Sequence, residues 1–304
     1  MIIDLIKKFI KNYTINKKIL LGAKALFVSR KNYKKIDNIN QTELKIFSQN
    51  GEDGVIDYLL ESLLIQKPKF VEIGVGDYSE ANTRFIFETR SPKGLIVDCN
   101  KHLEKKVKKN IKLWKSDISI VEDFVTSQNI TSILKKNNFH NQVDLFSLDV
   151  DGIDYWILKE LPKNFSKIAI LEFNPYFGAT KSITIPNIKN FDRSKYHSSM
   201  LYFGMSLKAA IDLMSKKNLT FVGSNLMRNN AFFVRKDLLK KLSLKNITQK
   251  NLKNYVDANF REGRNTKGEL SYLSKDEIIK KIKNCEVIDL KKSIKLKIKS
   301  IKIK

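Results

Sequence analysis

Cysteine is scarce in this chain, and that scarcity limits what can hold the fold together. Only Cys99 and Cys285 occur among 304 residues, so no disulfide framework is expected and a reducing compartment fits. Long apolar runs are also missing: residues 19–28 are interrupted by Lys24, are too short to span a bilayer and lack a clear cleavage site after them. The sequence therefore predicts a cytoplasmic protein, with the inner face of the membrane as a further location that its basic residues would allow.

Acidic residues are few relative to basic ones. The 57 Lys and Arg residues outnumber the 32 Asp and Glu residues, for a net charge of +25. Such an excess suggests nucleic acid, an anionic membrane or phosphorylated substrates as partners. Most of the surplus is lysine scattered among Ile and Asn, a pattern that a codon-biased genome also produces. The charge alone does not choose between these interpretations.

Glycine is concentrated at one informative place, the segment 70–79, which reads FVEIGVGDYS. It predicts a buried strand followed by a turn through Gly74 and Gly76, where the missing Cβ atoms let the backbone pass close to a nucleotide-like ligand. A Cβ at Gly74 is expected to occupy that ligand's path. The dinucleotide fingerprint would have a third glycine where this chain has Ser79, and Glu72 favours a cationic or hydroxyl-rich ligand over a diphosphate.

Three further predicted strands end in an acid. Residues 94–97 lead to Asp98, residues 111–116 to Asp117, and residues 143–148 to Asp149. Asp98 is expected to face ribose hydroxyls and Asp117 an adenine amino group. Each acid taken alone also fits a solvated strand end or a helix N-cap.

The order of elements predicts the fold class. From residue 69 to about 173 short apolar strands alternate with helical stretches, as in a parallel sheet with crossover helices. The strands at 219–222 and 231–234 are joined by too few residues for a crossover, so they must be antiparallel. The prediction is an α/β, Rossmann-like doubly wound sheet of seven mostly parallel strands with an antiparallel last strand and helical appendages at both ends.

Three regions follow from this order. Residues 1–46 form an N-terminal helical extension, residues 47–240 the main domain, and residues 241–304 a basic, mainly helical extension. At the start, Ile2, Leu5, Ile6 and Phe9 have helical spacing among lysines, so this helix either covers the core or rests on an anionic membrane. The last fourteen residues, 291–304, contain seven lysines and no acid, and an edge strand, a helix and a frayed end all fit them. Their removal is expected to leave catalysis intact.

A second group of polar residues follows strands four and five. Asp149 and Asp151 share one face of an extended segment, and Glu172 and Asn174 follow the next strand, so all four are expected at one crevice. Carboxylates brought together in this way share a proton or bind a divalent cation such as Mg²⁺. The alternative is that Asp151 or Asp154 caps the following helix.

These motifs together resemble a known family. The glycine turn with its strand-end acids is similar to the cofactor turn of class I methyltransferases that use S-adenosyl-L-methionine (SAM), and the antiparallel last strand is typical of that class. The wider pattern resembles the FkbM-type methyltransferases over residues 47 to about 235. It consists of Ser48-Gln49-Asn50-Gly51-Glu52-Asp53, the turn, Asn82-Thr83-Arg84, the cluster 149–154 and Glu172-Phe173-Asn174, with an extension at Phe260-Arg261-Glu262-Gly263-Arg264.

The resemblance implies a function and a set of site residues. It implies a SAM-dependent O-methyltransferase that acts on a sugar or glycan precursor in surface polysaccharide or natural-product biosynthesis. Nucleic acid is not expected as its partner. The implied cofactor contacts are Glu72, Gly74, Gly76, Asp98, Asp117 and Asp149. The implied catalytic residues are Asp149 and Asp151, and the implied ligands of a divalent cation are Asp149, Asp151, Glu172 and Asn174.

Two points leave the assignment open. No histidine base accompanies the cluster, because His197 lies alone in a later loop. The strongly basic composition also fits a different class of protein, a catalytically silent Rossmann-like scaffold for nucleic acid or an anionic membrane. Binding of SAM distinguishes the two.

Overall fold

The main sheet has seven strands, six of them close to their predicted positions. A computed structural model of the chain describes residues 2–258 and 263–301. The strands of this sheet are β1 (Lys69–Ile73), β2 (Lys93–Asp98), β3 (Asp117–Glu122), β4 (Val143–Leu148), β5 (Ser166–Glu172), β7 (Leu219–Ser224) and β8 (Asn230–Arg235). Their order across the sheet is β3-β2-β1-β4-β5-β8-β7. Strands β1 to β5 are parallel to their neighbours among themselves, whereas β8 is antiparallel to both β5 and β7. The predicted fold class is confirmed.

The third strand is displaced from its predicted position. Residues 111–116 are a loop with one 3₁₀ turn, Leu113–Lys115, and the strand starts at Asp117 rather than ending before it. The apolar residues at 111 and 113 have the alternation of a strand, but Trp114, which follows them, is 81% exposed. The consequence is that Asp117 lies at the amino end of β3.

Helices cover both faces of the sheet, as doubly wound topology requires. The helices are α1 (Ile2–Arg30), α2 (Glu52–Ser62), α3 (Arg84–Arg90), α4 (Leu103–Asn110), α5 (Ile130–Lys136), α6 (Asp154–Glu160), α7 (Arg193–Tyr196), α8 (Leu207–Lys216) and α9 (Lys275–Ile282). One core joins α5, α6 and α8 to the sheet face that carries Val71 and Ile73. The other joins α2, α3 and α4 to the face that carries Phe70. The alternation along β1 therefore serves two cores at once.

Helix α1 packs on the outside of the main domain. Ile15, Ile19 and Leu26 contact Ile46, Phe47 and Phe85 in a small third core. Arg30, at the carboxyl end of α1, forms an ion pair with the buried carboxylate of Asp57 in α2, with an Nη2 to Oδ1 distance of 2.6 Å. One side of α1 is thus fixed to the domain.

The carboxyl-terminal region contributes a second, smaller sheet. Strands β9 (Glu286–Asp289) and β10 (Ile294–Lys297) form an antiparallel hairpin, and β9 also pairs with β6 (Ile183–Thr184). Of the three alternatives for the lysine-rich tail, the structure shows an edge strand up to residue 297. Ile298 beyond it is only 1% exposed. Removal of residues 291–304 would take Ile298 out of the core, so we expect it to cost stability, and survival of catalysis after this deletion stays a prediction.

Two further expectations concern part of the extended motif and the possibility of a membrane-spanning helix. Phe260, Arg261 and Glu262 of the extended motif lie outside the described residues. Within the described part of the chain, no helix is both long and apolar enough to cross a membrane.

Candidate active-site cleft

A cleft of about 440 Å³ opens at the carboxyl ends of β1 to β4. This edge is where doubly wound sheets bind ligands, since the loops that follow parallel strands diverge there. The lining includes the glycine turn after β1, the segments that follow β2, β3 and β4, and Gln49, Phe191 and Asn230. Most of the predicted site residues therefore meet at one place.

The two glycines of the turn serve different purposes. Gly74 has φ +87°, and a Cβ on it would lie 1.5 Å from the carbonyl oxygen of Asp149. Its lack of a side chain is therefore required by the loop after β4, not only by a ligand. Gly76 has φ +59°, and a Cβ there would meet no atom within 4 Å. Gly76 is the glycine that keeps open space at the cleft.

Asp98 lies where the sequence predicts it, at the carboxyl end of β2 in the wall of the cleft. Its Oδ2 accepts a hydrogen bond from the Gly76 backbone N–H at 2.7 Å, and its Oδ1 accepts one from Asn100 N–H at 2.8 Å. The carboxylate is held in one orientation by these bonds and retains acceptor capacity for a ligand hydroxyl.

Asp117 does not reach the cleft. It starts β3 at the opposite edge of the sheet, and its exposed carboxylate pairs with Lys93 at 2.9 Å. The acid after the carboxyl end of this strand is Asp123, which lines the cleft together with Phe124 and Val125. Sequence reasoning missed Asp123 because it predicted the strand at residues 111–116, whereas β3 is Asp117–Glu122.

Glu72 lines the cleft, but its carboxylate also anchors the chain. It accepts hydrogen bonds from Asn82 N–H at 2.8 Å and from the N–H and hydroxyl of Thr83. Burial raises the pKa of Glu72 to about 7, against the effect of these hydrogen bonds. Glu72 thus holds the Asn82-Thr83-Arg84 motif beside the turn, where the fully buried Arg84 pairs with Glu88.

The Ser48 to Asp53 motif forms another wall of the cleft. The Asp53 carboxylate accepts hydrogen bonds from the backbone N–H groups of Ile46, Phe47 and Ser48. Glu52 accepts from the side-chain amides of Asn225 and Asn230, each at 2.8 Å. The motif therefore fixes the start of α2 against β8, with Gln49 and Asn230 facing the cleft.

Three predicted acids converge at the carboxyl ends of β4 and β5, where Asp149 and Asp151 belong to the cleft lining and Glu172 lies behind it. Oxygen atoms of Asp149, Asp151 and Glu172 lie within 4.8 Å of one another. Glu172 is buried, and among the described residues its Oε2 has no hydrogen-bond partner. A buried acceptor without a partner costs free energy, so this cluster of acids favours a proton or a cation.

Burial and the proximity of the other carboxyl groups raise the pKa values of Asp149 and Glu172. Burial raises the pKa of Asp149 well above its usual value, and the negative charges of Asp151 and Asp154 raise it further. Burial and the charges of Asp149 and Asp151 raise the pKa of Glu172 in the same way. Such a pair retains a proton at a pH where isolated carboxyl groups are ionised, and such a group can both accept and release a proton.

Arg193 is a member of this site that sequence reasoning missed. It begins the short helix α7, far along the chain, and its guanidinium pairs with Asp151 and lies 4.0 Å from the centre of the Phe203 ring. Its positive charge lowers the pKa of both Asp149 and Glu172. Arg193 comes close to Asp151 only in the folded chain, since the two residues are far apart in sequence.

Asp154 supports the loop that carries the cluster. Its carboxylate accepts hydrogen bonds from Val150 N–H and Gly152 N–H, both at 3.0 Å, which bend the chain through Asp151 at φ +54°. The N-cap position of α6 is Ile153, so neither Asp151 nor Asp154 occupies it. The capping alternative is wrong for both residues.

Asn174 and His197 have other partners. The Asn174 amide group donates to the carbonyl oxygens of Leu201 and Phe203, and its Oδ1 accepts from Tyr176 N–H at 3.0 Å. This use of Oδ1 argues against Asn174 as a metal ligand. His197 Nδ1 lies 2.7 Å from the Ser199 hydroxyl, and His197 is not part of the cleft lining.

Comparisons with known proteins return only distant similarities. No family model matches the chain, and no curated protein matches its sequence. A solved SAM-dependent methyltransferase from Clostridium acetobutylicum ATCC 824 is 9% identical at a TM-score of 0.39, with 60% of this chain and 90% of that chain covered. An O-methyltransferase family protein from Burkholderia thailandensis is 12% identical at a TM-score of 0.34, with 72% and 71% covered.

The pyocyanin biosynthetic protein PhzM is also similar, at 12% identity and a TM-score of 0.31, with 58% of this chain covered. The match spans only 53% of PhzM. Because all three TM-scores lie below 0.5, the case for a function rests on this chain's own topology and residues.

Proposed function

We propose that this protein is a SAM-dependent methyltransferase that modifies a hydroxyl group of a sugar or glycan precursor, as the FkbM-type resemblance suggests. One observation carries the proposal: the cleft joins two kinds of wall at the carboxyl edge of the sheet. On one side the Gly76 N–H and the Asp98 carboxylate meet, and after β4 the lining residue Asp149 lies within 4.8 Å of the buried carboxylate of Glu172. The first suits a cofactor and the second suits removal of a proton.

The residues present fit SAM in both size and polarity. The volume of about 440 Å³ lies within the range of small-ligand sites. Asp98 would accept from the ribose hydroxyls, Asp123 and Phe124 would lie at the adenine, and the Gly74 to Gly76 turn would hold the methionine end. When bound, SAM supplies a methyl group on a positively charged sulfur, which the acceptor oxygen takes as it gives up its proton.

The acid cluster would take that proton. Asp149 is the residue of the cluster that lines the cleft and carries a raised pKa, so it is our candidate for the base. Glu172 would share the proton with it, while Asp151 and Arg193 would set the balance of charge around the pair. A base with a pKa near the working pH accepts a proton efficiently and can release it again.

A divalent cation is the alternative occupant of the cluster. Asp149, Asp151 and Glu172 supply the hard oxygen donors that Mg²⁺ or Ca²⁺ prefers, and the unpartnered Glu172 Oε2 is one such donor. Arg193 would compete with the ion for Asp151. If the ion is required, excess chelator should stop turnover while SAM still binds.

The proposal is tested by transfer of labelled methyl from SAM to a panel of nucleotide sugars and oligosaccharides. We expect Asp149→Asn to lower the rate by about a hundredfold or more while SAM binding survives, since loss of a positioned base typically costs that much. The control is Asp212→Asn, which removes a partly exposed carboxylate that pairs with Lys208 in α8, away from the cleft lining. Equal activity in Asp149→Asn and wild type would contradict the assignment of Asp149.

A further inference from the structure

The side of α1 that faces away from the domain is apolar, which is unusual for a surface helix. Eight large apolar residues on this helix are each between 52% and 71% exposed. They are Ile6, Phe9, Ile10, Tyr13, Leu20, Leu21, Phe27 and Val28. We call these eight residues the outer face of α1.

The outer face lies opposite the packed side of the helix. Ile15, Ile19 and Leu26 face the domain, whereas residues 6, 10, 13, 20 and 27 recur at spacings of three, four and seven residues on the other side. At 3.6 residues per turn these two rows are half a turn apart. The domain itself therefore cannot cover the outer face.

The charge on and around the outer face is uniformly positive. Lys17 and Lys24 interrupt the apolar row at the same helical spacing, and both are exposed. The sequence holds no Asp or Glu between Asp4 and Asp37, although it holds ten Lys and Arg residues there. An apolar stripe with lysines on it and beside it is the pattern of helices that lie flat in the headgroup region of anionic membranes.

A second copy of the chain fits the outer face less well. Two such helices in contact would bring lysines together with no carboxylate between residues 5 and 30 of either helix to offset them. Helix pairs that associate in solution use opposite charges along the seam for this purpose. An anionic lipid surface offers an apolar acyl region for the apolar residues and negatively charged headgroups for the lysines.

The position of α1 relates this surface to the cleft. Lys11 Nζ donates to Asn110 Oδ1 at 2.9 Å, and the Asn110 amide donates to the carbonyl oxygen of Asp77 in the cleft lining at 2.8 Å. Lys11, Lys106 and Lys109 surround a hollow of about 390 Å³ that shares Asp77 and Asn100 with the cleft. The basic edge of the molecule is thus continuous from α1 to the cleft mouth.

We propose that the outer face of α1 docks the protein on the surface of an anionic lipid bilayer. The apolar side chains enter the boundary between headgroups and acyl chains, and Lys17 and Lys24 contact lipid phosphates. The helix lies on the membrane and does not cross it. This inference does not depend on the proposed methyl transfer, because it rests on α1 alone.

The test is sedimentation of the full chain with vesicles. One set contains phosphatidylcholine only, and in the other about a third of it is replaced by phosphatidylglycerol. We expect binding to the anionic set, weakened by salt, and none to the neutral set. Phe9→Asn with Phe27→Asn should lower the affinity by about tenfold or more, because it removes the two most exposed side chains of the outer face. Lys17→Gln with Lys24→Gln should lower it by about tenfold as well.

Matched controls separate α1 from the rest of the surface. Leu64→Asn with Tyr272→Asn removes two equally exposed apolar residues elsewhere, at positive φ values that Asn accepts. Lys67→Gln with Lys163→Gln removes the same charge from exposed positions on two loops that precede β1 and β5. Both controls should bind within about twofold of wild type, and thermal melting checks that every variant is folded.

Three results would overturn the proposal. One is the absence of binding to anionic vesicles at low salt. A second is an equal loss in the control variants, which would make the attraction a property of the whole basic surface. The third is a concentration-dependent dimer that Phe9→Asn with Phe27→Asn dissociates, which would make a second copy the occupant.

Discussion

Asp151 and Arg193 have opposite effects on the pKa values of Asp149 and Glu172. The negative charge of Asp151 raises the pKa of Asp149 and Glu172, and the positive charge of Arg193 lowers it. A base must be ionised to accept a proton, so kcat/KM should rise with pH through the pKa of the pair. The position of that rise therefore reports the charge around the pair.

Asp151→Asn removes a negative charge, so we expect the rise in kcat/KM to move to lower pH, by about one unit. Arg193→Gln removes a positive charge, so the rise should move to higher pH by a similar amount. The measurement is a pH profile of kcat/KM without added divalent metal, with Asp212→Asn as the unshifted control. Movement of both variants in the same direction would show that the pair is not the titrating base.

The site could be predicted from the sequence only in part, and single residues show why. Asp98 ends an interior strand whose preceding residues, 94–97, are apolar and buried, so the end of that strand can be read from the sequence. Asp117 was assigned to the end of a strand that it actually begins, because β3 is an edge strand of mixed polarity and the preceding loop carries apolar residues. Arg193 could not be found at all, since its relation to Asp151 exists only in the folded chain.

At the scale of elements, the glycine turn has two functions that mutation can separate. Gly74→Ala places a Cβ 1.5 Å from the Asp149 carbonyl oxygen, so we expect a loss of about 3 kcal/mol or more in the free energy of unfolding. Gly76→Ala meets open space, so only its positive φ should cost stability, about 1 kcal/mol. Its new methyl group should instead weaken SAM binding.

Urea denaturation and a SAM titration of the two glycine variants test this separation. Equal stability of Gly74→Ala and wild type would mean that the close approach to Asp149 is not required. It would restore the simpler view, in which this glycine serves the ligand alone.

The tail hairpin makes a second prediction for an element. Ile298, just after β10, is buried in the main core, whereas Ile294 at the start of β10 is 43% exposed. We expect Ile298→Ala to lower the free energy of unfolding by about 2 to 4 kcal/mol and Ile294→Ala by under about 1 kcal/mol. Equal effects in urea denaturation would show that the tail adds nothing to the core.

Elements with strong periodicity were predictable and short ones were not. The central strands and α2 have unbroken apolar patterns, and the short connection from β7 to β8 dictates antiparallel pairing. Strand β6 has two residues, and β9 and β10 have four each, so their pairing is decided by the tertiary fold. The same limit explains why the carboxyl-terminal region was expected to be mainly helical.

At the scale of the whole molecule, an acidic cleft lies next to a basic surface. The acids that line the cleft are concentrated at the carboxyl edge of the sheet, although the chain as a whole carries a net charge of +25. The basic residues of α1 and α4 lie next to the cleft mouth. This arrangement fits an enzyme with an acidic reaction centre that works close to an anionic surface.

The central claim is that this cleft binds SAM, and calorimetric titration of the full chain with SAM tests it most directly. We predict one SAM per chain. Asp98→Asn should lower the affinity by about ten- to a hundredfold, because a charge-assisted hydrogen bond to the ribose is lost. Asp117→Asn, the matched change at the far end of the sheet, should leave the affinity unchanged. Absence of SAM binding, or equal losses in Asp98→Asn and Asp117→Asn, would contradict the account and favour a scaffold without a cofactor.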